Sequence, residues 1–223
     1  MTIEAVFFDM GGTLAYGEPN PWEVFIQTCR KRGFTVTIGE INEAKARVDA
    51  VYKSRQFLTR EGLETHPIDR YRMILEGLSV DDTIEIATEV QSTLKRQGRV
   101  HLYPEVMDLL ENLRERGMYL GIISNTVATL EEGCRRLGIW KFFDIILASD
   151  LLRSKPDEMM FRLAVAESGL PAGSCLHVGD SYTADYLGAQ RVGMRAILLD
   201  REGTSGHDCP TVRDLGEIEN YLI

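Results

Sequence analysis

Val6-Phe7-Phe8-Asp9-Met10-Gly11-Gly12-Thr13-Leu14 is the stretch on which the reading of this chain turns. A β-branched and aromatic apolar run stops on one carboxylate, and two glycines and a threonine follow at once. Ile3 to Asp9 therefore reads as a short buried strand that ends in a sharp turn. A strand buried on both faces belongs to a parallel sheet. Its terminal acid then lies at the carboxyl edge, where open α/β folds bind ligands. Position 11, two residues after the acid, is Gly, so a second carboxylate that could have stood there is absent.

Beyond the turn the pattern changes. Ala15 to Pro21 holds two prolines and a Gly and reads as a loop. From Trp22 to about Gln97 the spacing is helical. Trp22, Phe25, Ile26 and Cys29 share one face, and Gly33 stops that helix. A second helix is expected over Ile41–Leu58, a third over Asp69–Leu78, and a fourth after Ser79-Val80-Asp81-Asp82, closing at Gly98. Roughly 80 residues without a strand are too long for a loop, so residues 16–100 are expected to form an all-helical domain inserted after the first strand.

From Val100 strands and helices alternate. Strands are expected at Tyr119–Ser124, Phe143–Ala148, Cys175–Val178 and Ala196–Leu199. Helices are expected at Pro104–Arg116, up to Leu137, Asp157–Ser168, Thr183–Val192 and Val212–Tyr221. This rhythm means βαβ units, so the fold class is α/β: a Rossmann-like parallel sheet in residues 1–15 and 101–223.

The bulk properties narrow the function. The 223 residues carry 25 Lys and Arg against 34 Asp and Glu, a formal charge of −9, with a pI near 5.0. That disfavours nucleic acid and anionic membranes as partners. It leaves an anionic substrate open, because a metal or a Lys can override the global field locally. Cys29, Cys134, Cys175 and Cys209 are far apart and are expected to be reduced, in a cytoplasmic protein. Met1-Thr2-Ile3-Glu4 has no basic region of a signal peptide, and no apolar run approaches the ~18 residues of a membrane span.

Polar residues mark three strand ends: Asp9, Ser124-Asn125 and Asp180, with Asp185 five positions further on. Lys155-Pro156 leads into the helix before the fourth strand. A parallel sheet gathers strand ends of one polarity along one edge, so residues over a hundred positions apart can share a crevice. Asp9 with Asp180, and Asp185 beside them, are hard oxygen ligands of the kind Mg²⁺ takes. Ser124, backbone N–H groups and Lys155 supply donors for phosphoryl oxygens. An ionised Asp9 could then attack phosphorus, forming an aspartyl-phosphate that water hydrolyses. Singly, the same residues have plainer readings: Ser124 and Asn125 as turn residues, and Asp185 as a first-turn acid favoured by the helix dipole.

Together these segments resemble the haloacid dehalogenase (HAD) superfamily. Asp9-Met10-Gly11-Gly12-Thr13-Leu14 is similar to its first motif, Ile122-Ile123-Ser124-Asn125 to its second, and Lys155-Pro156-Asp157 to its third. Val178-Gly179-Asp180-Ser181-Tyr182-Thr183-Ala184-Asp185 is similar to its fourth. The resemblance covers residues 1–14 and about 101–200, and the helical insertion resembles the family's cap, which selects substrate. It implies a Mg²⁺-dependent phosphatase of a small phosphorylated metabolite. Asp9 would be nucleophile and metal ligand. Ser124, Asn125, Gly12 and Lys155 would bind phosphate, with Lys155 also stabilising the nucleophile. Asp180, Asp185 and the backbone C=O of Gly11 would complete the metal site.

Gly11 departs from that pattern, since phosphatases of the family carry there the Asp that protonates the leaving oxygen. Such a group is typically worth about 10²–10⁴ in rate. The departure leaves three alternatives beside an ordinary phosphatase. One is a slow phosphatase, or one restricted to good leaving groups. Another resembles the phosphonoacetaldehyde hydrolases, which use an imine-forming cap Lys; Lys31, Lys45, Lys53 and Lys95 are the candidates. The third is a phosphate-binding protein with weak or no catalysis. Dehalogenation fits less well, because that branch does not need the metal carboxylates kept here. His66, His101, His177 and His207 show no metal spacing; His177 reads as packed within its strand and His101 as a hinge position. Trp22, Phe25, Tyr52, Phe57 and Tyr71 read as the core of the helical domain. The chain is expected to be a monomer or a dimer.

Overall fold

The computed structural model describes residues 2–55, 67–125, 129–149 and 154–222, apart from the side chains of 46 and 49–55. It divides into two compact units, Met1–Tyr16 with His101–Ile223, and Gly17–Val100.

The first unit is built on a six-stranded sheet. Its strands are β1 (Ala5–Phe8), β4 (Tyr119–Ser124), β5 (Ile145–Ala148), β6 (Cys175–Gly179), β7 (Arg195–Leu199) and β8 (Thr211–Val212), in the order β5-β4-β1-β6-β7-β8. All the pairings are parallel. β1 is central, with Phe8 in register with Ile122 on one side and Val178 on the other. The strand order reverses between β1 and β6, so the crevice of an open α/β sheet opens beyond Phe8 and Val178.

The two faces of β1 are sorted by strand alternation. Val6 and Phe8 join the core that holds Leu109, Leu110 and Leu113 of α5 (Val106–Glu115). Ala5 and Phe7 join the opposite core, with Met160, Phe161 and Ala164 of α7 (Glu158–Ser168). Burying both faces explains the unbroken apolar run of Ala5–Phe8. The remaining α-helices among the described residues of this unit are α6 (Leu130–Arg136), and α8 (Leu187–Arg191) behind a π-helical turn at Tyr182–Tyr186.

The second unit holds α1 (Pro21–Lys31), α2 (Ile38–Arg55), α3 (Pro67–Gly77) and α4 (Thr83–Gln97). The Asn20 side chain accepts from Trp22 N at 2.9 Å and caps α1, with Pro21 at the first turn. Thr37 and Glu40 exchange bonds at the start of α2: Thr37 N donates to Glu40 Oε2 (2.8 Å), and Glu40 N to Thr37 Oγ1 (3.3 Å). Phe25, Cys29, Ile41, Ala44, Ile74, Leu75, Ile86 and Val90 form its core. Trp22 and Tyr71 pack against that core, as expected. Phe57, His66 and the last residues expected of the second helix lie outside the described residues, as does the Tyr52 side chain.

Three expectations are corrected. The loop at Ala15–Pro21 contains a strand, β2 (Ala15–Glu18), which pairs with β3 (Arg99–Leu102). The expected last helix begins instead with the short strand β8, and a 3₁₀ helix over Leu215–Tyr221 follows. The expected helix Thr183–Val192 opens as the π turn. None of the described helices is long and apolar enough to cross a membrane. All four cysteines are free thiols.

Candidate active site

Asp9 follows β1 directly, and its N–H continues the ladder by donating to Val178 O at 2.9 Å. The next turn is tight. Gly12 has φ +81°, and a Cβ there would lie 2.5 Å from Asp180 Oδ2, so glycine is needed both for the turn and for the approach of the Asp180 carboxylate. Gly11 is the opposite case. It is exposed, and a Cβ would meet nothing within 4 Å.

Asp180 and Asp185 come from the end of β6 and the π turn behind it. The turn satisfies both Asp185 N–H and Tyr186 N–H on Ser181 O, at 2.8 and 3.2 Å. The Ser181 side chain accepts from Ala184 N. Such wide turns recur at functional sites. A Cβ on Gly179 would lie 2.2 Å from Asp185 Cγ, so the strand end is kept bare where that carboxylate packs.

Lys155 joins the acids. Its Nζ lies 2.5 Å from Asp9 Oδ1 and 2.6 Å from Asp185 Oδ1, with the three side chains almost wholly buried. Asn125 positions this lysine through the backbone: Lys155 N donates to Asn125 Oδ1 (2.7 Å), and Asn125 Nδ2 donates to Lys155 O (3.1 Å). Asn125, expected at the phosphate, thus has its amide engaged at both ends in holding the Lys155 peptide. Ser124 is buried at the end of β4, the strand beside β1.

His177, expected to be a packing residue, is a polar member of the cluster. Its Nε2 lies 2.9 Å from Asp185 Oδ1, and its ring meets Phe161 edge-on at 5.1 Å. Arg201 was not singled out by the sequence. Its guanidinium donates to Thr13 O (2.9 Å) and Glu105 Oε1 (2.7 Å), and sits 3.5 Å over the Tyr103 ring. It thereby ties the turn after Asp9 to the segment after β3.

The electrostatics follow from burial and pairing. Burial raises Asp9 above the usual carboxylate range; Lys155 offsets part of this and Asp185 adds to it. Burial would raise Asp185 too, but Lys155 and His177 outweigh it and hold its carboxyl well below that range. Burial works to lower Lys155, and Asp185 and Asp9 reverse the sign, leaving it raised and charged. Burial lowers His177, more than Asp185 raises it, so the ring is neutral at pH 7. Asp180 is pushed up to about 7, by desolvation on its protein side and then by the charges of Asp9 and Asp185. It is the exposed member of the trio, so solvent screens part of that shift.

One oxygen from each of Asp9, Asp180 and Asp185 lies within 4.8 Å of the others. Three carboxylates and one ammonium leave two negative charges when all are ionised. Hard oxygen donors carrying that charge around an accessible carboxylate fit a divalent cation such as Mg²⁺.

Comparisons with known proteins place the chain in a family. The family model for haloacid dehalogenase-like hydrolases matches residues 3–193. The glyceraldehyde 3-phosphate phosphatase of Methanothermobacter thermautotrophicus is 31% identical over 99% of this chain and 100% of its own length. The haloacid dehalogenase-like hydrolase domain-containing protein 3 of mouse is 38% identical over 91 residues, 40% of this chain, and the chain spans only 36% of that relative. Among solved structures, the magnesium-bound HAD-hydrolase YfnB of Bacillus subtilis covers 100% of this chain and 99% of its own, with a TM-score of 0.69 at 19% identity, a likeness of fold. The chain belongs to the haloacid dehalogenase-like hydrolases.

Proposed function

We propose that this hydrolase is a Mg²⁺-dependent phosphatase of a small phosphorylated metabolite, with Asp9 as nucleophile. The observation that supports the reading is the position of Asp9, held through one oxygen by a charged Lys155 that Asp185 anchors from behind. An ionised Asp9 carboxylate bonds to phosphorus, and the ester P–O bond breaks with its electron pair going to the leaving oxygen. Water then attacks the aspartyl-phosphate, releasing phosphate and restoring Asp9. Lys155 favours the ionised form of the nucleophile and orients it, and the Ser124 hydroxyl, at the end of β4, donates to a phosphoryl oxygen. Asp9, Asp180, Asp185 and the Gly11 carbonyl would hold Mg²⁺, which when bound neutralises phosphate charge. Position 11 carries no acid, so the proton on the leaving oxygen is left to water, the substrate or a residue of the helical unit. The helical unit, Gly17–Val100, takes the part of the substrate-selecting cap.

The imine-forming alternative gains no support. Lys45 Nζ lies 4.7 Å over the Trp22 ring, whose side chain packs against the core of the helical unit. The Lys53 side chain lies outside the described residues.

The reading is tested by phosphate release from a panel of phosphorylated metabolites that includes glyceraldehyde 3-phosphate, the compound named for the Methanothermobacter relative. Release should need Mg²⁺ and disappear in Asp9→Asn. Metal-independent turnover, or full activity in that variant, would reject it.

A further inference from the structure

We infer that His177 is a positioning residue of this site: its Nε2–H, aimed by Phe161, fixes the Asp185 carboxylate so that Lys155 stays bound between Asp185 and Asp9. The inference rests on the phosphatase reading for its kinetic consequence, though not for its geometry.

Both carboxylate oxygens of Asp185 are engaged. Oδ1 takes both Lys155 Nζ, at 2.6 Å, and His177 Nε2, at 2.9 Å. Oδ2 takes Ser181 N at 3.1 Å. Donors from three segments leave the carboxylate one orientation. The Lys155 ammonium depends on that orientation, because its second partner, Asp9, is fixed at the end of β1.

The chemistry of the histidine follows from its partners. Asp185 already accepts from the Lys155 ammonium on Oδ1 and from Ser181 N on Oδ2, so it meets the imidazole as an acceptor and Nε2 carries the proton. Nδ1 is then a bare acceptor, and among the described residues it finds no partner although it is buried. An unsatisfied buried polar atom is a cost that a purely packing residue would avoid; Leu or Phe would fill a strand interior without it. What the imidazole supplies, and those side chains cannot, is an N–H donor to the Asp185 carboxylate from inside the strand.

The edge-on contact with Phe161, at 85° and 5.1 Å, sets the ring plane and aims Nε2 at Asp185. The line Phe161–His177–Asp185–Lys155–Asp9 thus runs from the α7 core to the nucleophile.

The test compares the full chain with His177→Gln, which keeps an N–H at similar reach, and His177→Leu, which keeps bulk without a donor. With p-nitrophenyl phosphate and Mg²⁺, His177→Leu should lower kcat by about tenfold or more while substrate KM moves little, and His177→Gln should recover most of the loss. Magnesium titration calorimetry should show weaker binding in the Leu variant only. Nitrogen NMR of the wild-type imidazole should show Nε2 protonated and Nδ1 bare. A folded Leu variant with wild-type kcat and Mg²⁺ affinity overturns the inference, as does an unprotonated Nε2. If the Leu variant does not fold, the Gln variant and the tautomer decide. If the wild type hydrolyses no phosphate ester, the phosphatase reading fails, and calorimetry and tautomer still decide the role of His177.

Discussion

Gly12 and Asp180 approach so closely that a methyl group on the glycine would lie 2.5 Å from a carboxylate oxygen. The turn after Asp9 and the end of β6 are therefore fitted to each other across the point where strand order reverses. Gly12→Ala meets two obstacles: the collision, and a φ of +81° that costs an L-residue roughly 1–2 kcal/mol. We expect Mg²⁺ affinity and turnover to fall by about tenfold or more. Gly11→Ala, where a Cβ meets nothing, should stay within about 0.5 kcal/mol of wild type in urea unfolding. Calorimetric Mg²⁺ titration of the two variants separates them; equal losses would show that the turn, rather than the approach to Asp180, is what matters.

Lys155→Met leaves Asp9 and Asp185 buried without their shared cation. Breaking a buried pair in this way typically costs about 3–5 kcal/mol. The pH dependence has a definite sign. Asp185 is held below its usual range by Lys155, so its pairing stabilises the fold above the usual carboxylate pKa and is lost as pH falls through the lowered one. The variant loses that contribution. Its deficit in urea unfolding should be large at pH 7 and shrink towards pH 3, as the variant's unpaired, buried acids take up protons while wild-type Asp185 stays ionised. A deficit independent of pH would mean that Lys155 contributes packing rather than charge.

How far the sequence carried the reading depended on the kind of interaction. β1 and Asp9 were legible because a strand buried on both faces has to be apolar throughout, and because a turn needing left-handed backbone advertises its glycine. β2, β3 and β8 were not. They span two to four residues, too short to show alternation, and Pro19 and Gly17 give β2 the composition of a loop. Motif order and strand context single out Asp9, Lys155 and Asp180 as candidates, and the structure brings them together. The bonds that position them were not legible: Asn125 acts on the Lys155 peptide, and Arg201 acts on backbone carbonyls, so neither needs a patterned side-chain partner in the sequence. His177 did leave a signal. A histidine inside an unbroken apolar strand has to find a hydrogen-bond partner, and Asp185 is a carboxylate that follows eight residues later.

Asp180 yields a prediction in the absence of metal. Its pKa, pushed up to about 7, lies above its unfolded value, so its share of stability is present at low pH and is lost as pH rises towards 7. Asp180→Asn removes the repulsion. After chelation, this variant should melt above wild type at pH 8 and level with it near pH 4. Saturating Mg²⁺ should reverse the order at pH 8, because binding then stabilises wild type alone. A variant that melts below wild type at pH 8 without metal would show that the carboxylate is stabilised there by contacts that outweigh Asp9 and Asp185.

Gly11→Asp asks what the missing acid costs. The position is exposed, its backbone lies outside the left-handed region, and a Cβ there meets nothing within 4 Å, so a side chain can be accommodated. If the site lacks only a proton donor, the new carboxyl should help most where the leaving oxygen is most basic. Turnover of alkyl phosphates should rise, by up to about 10²-fold, the lower end of what general acid–base catalysis contributes. p-Nitrophenyl phosphate should change little, since nitrophenolate leaves without help. The added negative charge works against this by raising the repulsion on Asp9 and Asp180, so both substrates need to be measured at saturating Mg²⁺. A rise confined to the alkyl esters supports proton transfer as the missing function. A fall with both would show that the site around Asp9 depends on a small, uncharged residue at position 11.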